Sequence, residues 1–277
     1  MAASNLTQRV IVTAVFGPVF AALFWVGGQP LLIGLCAVVG LGTWEYGRIQ
    51  QHKGLRTWTW LGVVASLVFC VWVFLSGTDH LVPLTLLMLL GTLCLSLSRR
   101  DDRFRVEDAT STLTGVLYVG LLGSFALLVR GAPGTGALQG AGRELALLVL
   151  VGIWVTDIGA YFAGRFLGKR HPFPHISPKK TGAGLVGGLL GALAAVAVGC
   201  RYTALTDTWA CAVLGVLIFA GSVVGDLFES VLKRDAGVKD SSALIPGHGG
   251  VLDRFDSFLF VFPTVYLYLR LLEAIGT

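Results

Sequence analysis

The chain has 277 residues, of which 55% are hydrophobic and only 13% are charged, and its mean hydropathy is +0.77. Soluble domains carry about 25% charged residues, so this composition excludes an ordinary soluble protein and indicates an integral membrane protein. The formal net charge of +5 fits contact with anionic lipid headgroups. We expect no nucleic-acid binding, because the basic residues are divided among separate loops.

Apolar runs of roughly 20 residues span a bilayer, and they do so as helices because the backbone polar groups must be satisfied internally. The fold class predicted is therefore all-α and polytopic, with a single membrane-embedded domain over 1–277. Within it we distinguish N-terminal helices over 1–130 and C-terminal helices over 144–277 that carry the catalytic motifs. In chain order the nine predicted transmembrane spans are 10–27, 31–47, 57–76, 81–98, 112–130, 144–164, 183–200, 209–228 and 257–275.

Lysine and arginine set the predicted orientation. With a cytoplasmic N-terminus, 17 of the 21 Lys and Arg residues lie in the cytoplasm, as the positive-inside rule requires. This orientation places the long polar connections 165–182 and 229–256 on the cytoplasmic face and the C-terminus outside. We expect the bacterial inner (plasma) membrane as the location.

The seventh span is built almost entirely from small residues. Gly184 and Gly188, and also Gly187 and Gly191, have the GxxxG spacing of closely packed membrane helices. The spacing predicts a central buried helix, and it is compatible with a homodimer.

Three carboxylates fall inside predicted spans, at Glu45, Asp157 and Asp226. Ionisable residues are costly in a bilayer and usually face a cavity or a partner. Each has two interpretations, a functional group or a satisfied polar contact between helices, and for Glu45 we favour the contact.

The connection 229–256 combines charge with glycine. Gly249 and Gly250 allow a backbone to approach a ligand closely, and Asp253 and Asp256 have the i, i+3 spacing of one helix face. Carboxylates with nearby lysine and arginine suit Mg²⁺ and phosphate oxygens, whereas the alternative is a solvated mixed-charge loop. The second connection contains Ser177-Pro-Lys-Lys-Thr181 before a helix start, which predicts either an anion site or an ordinary capped loop.

These residues resemble a known family. The pattern Ser230-Val-Leu-Lys233-Arg234, then Lys239-Asp240, then Pro-Gly-His248-Gly-Gly-Val-Leu-Asp253-Arg254-Phe-Asp256 is similar to the signature of the phosphatidate cytidylyltransferase (CDP-diglyceride synthetase) family. The likeness extends upstream through GDLFES, DIGAYFAGRFLGK and ISPKKT. It departs after SPKKT, where the family commonly has Trp-Glu-Gly and this chain has Ala183 at the acidic position.

The resemblance implies a Mg²⁺-dependent transfer of the cytidylyl group of CTP to phosphatidate, giving CDP-diacylglycerol and pyrophosphate. A second cation, near Asp157, is left open. The implied metal ligands are Asp226, Asp253 and Asp256. The implied catalytic residues are Lys239, Asp240, His248 and Arg254, and the implied substrate-binding residues are Ser177, Lys179, Lys180, Thr181, Ser230, Lys233 and Arg234.

Two alternatives remain from the sequence. A membrane lipid kinase that uses CTP would release CDP instead of pyrophosphate. An ion-coupled transporter would use Asp157 and Asp226 as intramembrane sites, but it predicts inverted halves, and the sequence shows none.

Overall fold

A computed structural model describes the backbone of residues 2–98, 106–131, 141–203, 205, 207–245 and 249–275, and the side chains from residue 14 onward except Ser98. The described part is helical and contains no strand beyond one isolated bridge between Ile245 and Gly249. The all-α prediction is therefore confirmed.

Nine helical segments follow one another along the described chain. They are α1 (Ala2–Val26), α2 (Gly28–His52), α3 (Thr59–Ser76), α4 (Leu81–Ser98), α5 (Val106–Gly131, with a π-helical stretch at Val116–Leu121), α6 (Gly142–Leu167), α7 (Gly182–Gly199), α8 (Thr208–Asp235) and α9 (Leu252–Ile275). Seven of them, α2, α3 and α5–α9, are long and apolar enough to cross a membrane. The apolar parts of α1 and α4, Ala14–Val26 and Leu81–Leu97, are shorter. The polytopic fold is confirmed, and the count of nine spans stays a prediction.

α8 ends later than predicted. We expected a polar connection from residue 229, but the helix continues to Asp235. Lys233 and Arg234 lie in its last turn, where cations interact favourably with the helix dipole, and Gly237 then takes a φ of +68°, as glycine does just beyond helix ends. Three of the predicted substrate-binding residues, Ser230, Lys233 and Arg234, are therefore held on a helix.

The contacts divide the chain into two units. The first contains Met1–Leu23, Gly28–Leu128 and Leu232–Phe255, and the second contains Phe24–Gly27, Val129–Val231 and Asp256–Thr277. The unit that contains most of the N-terminal helices thus also contains the loop before α9.

Within the second unit, α6 and α7 pack backbone to backbone. A Cβ on Gly159 would lie 2.5 Å from the carbonyl oxygen of Gly187, and a Cβ on Gly191 would lie 2.8 Å from that of Val155. The close packing predicted for this glycine-rich helix is confirmed. The predicted central, buried position is wrong, because one face packs on α6 while Val186, Leu190 and Val198 are exposed. Because these glycines face α6 of the same chain, they give no support to a homodimer, which stays a prediction.

Candidate active site

The first unit contains the loop Ala236–Val251, which we call the signature loop. It leaves the end of α8, where Lys53 forms an ion pair with Asp235. The backbone N–H of Val238 donates to the carbonyl of Lys233 at 2.9 Å, so the chain turns back at once. The start of the loop therefore lies at the same end of the unit as the α2–α3 connection.

Glu45 of α2 holds the far end of this loop. Its side chain is fully buried. Oε1 accepts from the Ser242 hydroxyl at 2.5 Å and the Val251 N–H at 2.9 Å, and Oε2 accepts from the Leu252 N–H at 2.6 Å. The Ser241 hydroxyl lies 3.1 Å from Oε2, but its one proton can instead go to Asp253, which is closer. The carboxylate thus satisfies N–H groups at the start of α9 that have no partner within the helix. The interpretation of Glu45 as a polar contact is confirmed, and its importance for the loop went unpredicted.

Asp253, in the first turn of α9, holds the middle of the loop. Its Oδ1 accepts from Lys233 Nζ at 2.5 Å, and its side chain is only 5% exposed. Its Oδ2 accepts from the Ser241 N–H at 2.8 Å, the Ser241 hydroxyl at 2.7 Å and the Gly250 N–H at 2.8 Å. Both oxygens of this predicted metal ligand are therefore engaged by protein donors.

Two glycines make these contacts possible. Gly249 has a φ of +84°, and a Cβ there would lie 2.7 Å from Asp253 Oδ2. A Cβ on Gly250 would overlap both the Ser241 hydroxyl and the Glu45 carboxylate. The predicted reason for glycine here was close approach to a ligand, whereas the observed reason is close approach to the protein's own carboxylates.

The other predicted residues of this loop are open to solvent. Arg234, Lys239, Asp240 and Arg254 are exposed, so a ligand could reach them. The predicted catalytic residue His248 lies outside the described residues, together with Pro246 and Gly247. The N–H of Ile245 donates to the carbonyl of Gly249 at 2.9 Å, so the described residues on either side of that segment are hydrogen-bonded to each other.

The second unit contains a separate group of predicted residues around Asp226. Lys180 Nζ lies 2.9 Å from Asp226 Oδ2, whose side chain is 43% exposed, and 3.5 Å from the carbonyl of Val223. The Ser230 hydroxyl donates to Asp226 Oδ1 at 3.4 Å. The structure thus brings together a lysine of the SPKKT loop with a carboxylate and a hydroxyl of α8.

Asp256 lies close to Asp226 because α8 and α9 cross there with their backbones in direct contact. A Cβ on Gly225 would lie 2.5 Å from the Asp256 carbonyl oxygen and 2.8 Å from Ser257 Cα, and a Cβ on Gly221 would lie 3.1 Å from Val261 Cα. The Ser257 hydroxyl donates to the carbonyl of Ser222 at 3.2 Å. The spacing Gly221-x-x-x-Gly225 was a readable signal of this crossing.

The rest of the SPKKT loop forms a compact turn. The N–H of Lys180 donates to the carbonyl of Ser177 at 3.1 Å, and Lys179 is exposed. Thr181 is the N-cap of α7, since its hydroxyl accepts from the Gly184 N–H at 3.0 Å. Ala183 is the second residue of that helix, whose first turn has no acidic residue. The capped-loop interpretation thus accounts for Thr181, and Lys179 stays available to an anion.

The carboxylates present at the site limit where a metal ion can bind. Among the described residues no three His, Cys, Asp or Glu side chains form a ready-made metal group. Mg²⁺, however, usually keeps several waters and takes only one or two carboxylates together with substrate phosphates. The half-exposed Asp226 beside Asp256 fits that requirement, whereas the third predicted ligand, Asp253, already has a full set of donors. Asp157, the candidate for a second cation, is exposed on α6.

Comparison with known proteins agrees with the signature. Residues 7–272 match the model of the Cytidylyltransferase family. A phosphatidate cytidylyltransferase of Synechocystis is 36% identical, with 96% of this chain and 97% of the relative aligned. The protein of that name from Bacillus subtilis is 32% identical, with 96% and 98% aligned, and a chloroplastic one from Arabidopsis thaliana is 32% identical, with 97% and 74% aligned. The chain therefore belongs to the cytidylyltransferase family, a class of membrane-embedded nucleotidyltransferases.

Proposed function

We propose that this protein transfers the cytidylyl group of CTP to phosphatidate and releases pyrophosphate. An oxygen of the phosphatidate phosphate attacks the α-phosphorus of CTP. The bond from that phosphorus to the oxygen bridging to the β-phosphate breaks, and that oxygen leaves with pyrophosphate. The lipid phosphate is already an anion, so the protein needs to supply little general-base catalysis.

The observation that carries this proposal is the Lys180–Asp226 pair beside Asp256. A half-exposed carboxylate with a lysine at 2.9 Å combines a cation for phosphate oxygens with a ligand for a hard metal ion. Two polyanions must meet in the reaction, and catalysis of phosphoryl chemistry is largely positioning and neutralisation of charge. Asp226 and Asp256 would hold Mg²⁺, which supplies neutralisation of phosphate charge when bound.

The exposed cations are proposed to hold the substrates. In the second unit, Lys179 and Lys180 of the SPKKT loop bind phosphate oxygens. In the first unit, the exposed Arg234, Lys239 and Arg254 are available to anions. The hydroxyls of Ser177 and Ser230, both in the second unit, are proposed to donate uncharged hydrogen bonds to phosphate oxygens. Phosphate oxygens accept strong charge-assisted hydrogen bonds from such donors.

Asp253 is proposed to act by positioning. Its four hydrogen bonds fix the Lys233 ammonium and the described part of the signature loop around Ser241, next to Asp240. Direct metal binding by Asp253 stays a prediction.

The lipid substrate also accounts for the location of the site. Phosphatidate has acyl chains in the bilayer and a phosphate at its surface, and the site residues lie at the ends of apolar helices. We propose that the site lies on the cytoplasmic face of a bacterial inner membrane, because the basic connections are on that side in the predicted orientation.

The decisive experiment is a transfer assay with purified protein, phosphatidate, Mg²⁺ and CTP labelled on the α-phosphate. Label is expected to move into the lipid fraction, with pyrophosphate released in equal amount. Labelled CDP in the aqueous phase would instead identify a CTP-dependent lipid kinase. Label that stays in CTP with all components present would contradict the proposal.

A pair of variants connects the assay to the site. Asp226→Asn is expected to lower turnover at least about a hundredfold, because it removes charge at the centre of the proposed metal site. Glu273→Gln, which breaks the surface pair with Arg270, is the matched carboxylate control and should retain turnover. Equal turnover in both variants would remove Asp226 from the mechanism.

A further inference from the structure

A groove of about 650 Å³ lies in the first unit, and none of its lining residues belongs to the signature loop. It is formed by the end of α2, the α2–α3 connection, the start of α3 and the end of α4. This volume lies within the range of about 300–1,000 Å³ typical of small-molecule sites. Its lining includes the tryptophans Trp44, Trp58 and Trp60, the arginine Arg48, and the leucines Leu61 and Leu95.

The tryptophans place the groove at the boundary between water and hydrocarbon. Trp58 and Trp60 lie at the start of α3, and Trp44 lies two turns before the end of α2. Tryptophan is enriched at this level of membrane proteins, where its ring meets lipid headgroups. Trp60 is 73% exposed, and Leu61 and Leu95 are also exposed, so the groove opens toward the surface that faces lipid.

Arg48 is the charged group of the groove. Its guanidinium lies 6.0 Å from the centre of the Trp44 ring. In the part of the chain that the structure describes, no carboxylate lies within ion-pair distance of it. The polar groups beside it are satisfied by one another, since Gln51 Nε2 donates to the Thr59 hydroxyl at 3.1 Å and the hydroxyls of Thr57 and Thr59 lie 3.1 Å apart.

An arginine between tryptophans at an apolar surface suits a ligand that has both an anionic group and a hydrocarbon chain. Guanidinium matches two phosphate oxygens at once, and the aliphatic and aromatic walls suit the first part of an acyl chain. We propose that this groove binds one anionic glycerophospholipid, with the lipid phosphate on Arg48 and the chain along Leu61 and Leu95. The groove shares no lining residue with the proposed reaction site, and the proposal does not depend on the proposed function.

The test measures lipid binding without CTP. Protein stripped of lipid in detergent is titrated with phosphatidate, phosphatidylglycerol or phosphatidylcholine, and the bound lipids are counted by native mass spectrometry. We expect one phosphatidylglycerol to bind, with Arg48→Gln weakening its affinity about tenfold by removing a charge-assisted contact. Arg201→Gln, a matched exposed arginine after α7, should change the affinity less than about twofold, because Arg201 is not among the residues that line the groove.

The outcomes separate the possible ligands. Binding of both phosphatidylglycerol and phosphatidate supports recognition of any anionic phosphate, and binding of phosphatidate alone, if lost in Arg48→Gln, restricts the site to a monoester. A photoactivatable phosphatidylglycerol should label the segment that contains Trp58 and Trp60. Equal binding of phosphatidylcholine, or unchanged affinity in Arg48→Gln, would overturn the proposal whether or not the enzyme transfers cytidylyl groups.

Discussion

A carboxylate that is fully buried in an apolar helix is stable only if donors surround its oxygens. Glu45 meets this condition with three hydrogen bonds, two of them from backbone N–H groups at the start of α9. It therefore contributes to the geometry of the site without being placed to touch a substrate. The sequence singled out Glu45 as a carboxylate inside a predicted span, but its partners are distant in the chain and no local pattern predicts them.

Glu45→Gln is expected to lower the free energy of unfolding by about 3 kcal/mol, because an amide NH₂ would face donors in place of an acceptor. Turnover should fall at least about tenfold as the signature loop shifts. Thermal unfolding in detergent measures the first effect and the transfer assay the second. Glu144→Gln, at a half-exposed pair with Arg143, is the control, and an equal unfolding temperature for both variants would contradict the anchoring role.

The Lys233–Asp253 pair allows a second test at this scale. Lys233→Met leaves a nearly buried carboxylate without its cation and should cost about 3–5 kcal/mol of stability. Asp253→Asn in the same chain removes the unpaired charge and should restore part of that loss. A double-mutant cycle measures this coupling, and additive losses would show that the two side chains act independently.

The sequence predicted the chemistry of these residues better than their partners. Asp253, Lys233 and Asp226 were each named because carboxylate and ammonium groups suit metal and phosphate. The pairings are Lys233 with Asp253 and Lys180 with Asp226, and the second joins residues of different helices and loops. Such pairings depend on tertiary packing, which residue types and spacing alone do not determine.

Among the elements, the crossing of α8 and α9 has the clearest consequence for the site. Gly221 and Gly225 let the two backbones touch, and this contact fixes Asp256 beside the residue that precedes Asp226. The continuous apolar runs predicted both helices, because a helix needs roughly 20 apolar residues to span a bilayer. They placed the end of α8 too early, since charged residues in a last helical turn look like a loop.

Gly225→Ala is expected to lower turnover about tenfold to a hundredfold, because its Cβ would meet the Asp256 carbonyl and push the carboxylates apart. Alanine is otherwise the better helix former by about 1 kcal/mol, so a loss cannot come from helix propensity. Gly91→Ala in α4, where a Cβ would have no neighbour within 4 Å, is the matched control. Turnover of Gly225→Ala at the level of Gly91→Ala would show that the crossing is not important for the site.

For the whole molecule, the all-helical polytopic fold followed from composition and hydropathy, whereas the division into two units did not. The signature loop packs with a helix that precedes it by about two hundred residues, as the contact from Glu45 to Val251 shows. Hydropathy reports which segments prefer lipid, but it carries no information about which helices become neighbours.

The predicted orientation can be tested on the intact chain. A reporter that is active only outside the cytoplasm, fused after Thr277, is expected to be active, because an odd number of spans places the two ends on opposite sides. The same reporter inserted after Gly54, between α2 and α3, should be inactive, since that connection is basic. Activity only at Gly54 would reverse the orientation and move the site to the other face.

The anchoring of the signature loop by Glu45 also has a consequence for folding during synthesis. Glu45 is synthesised 206 residues before Val251, which at about 5–20 residues per second corresponds to roughly 10–40 s. Throughout that interval α2 has left the ribosome while its carboxylate still lacks these donors. α2 is thus among the first helices to be made, but its buried carboxylate gains its last hydrogen-bond donors only when α9 is made. A chain truncated before α9 should therefore be unstable, because the Glu45 carboxylate would be buried without these donors.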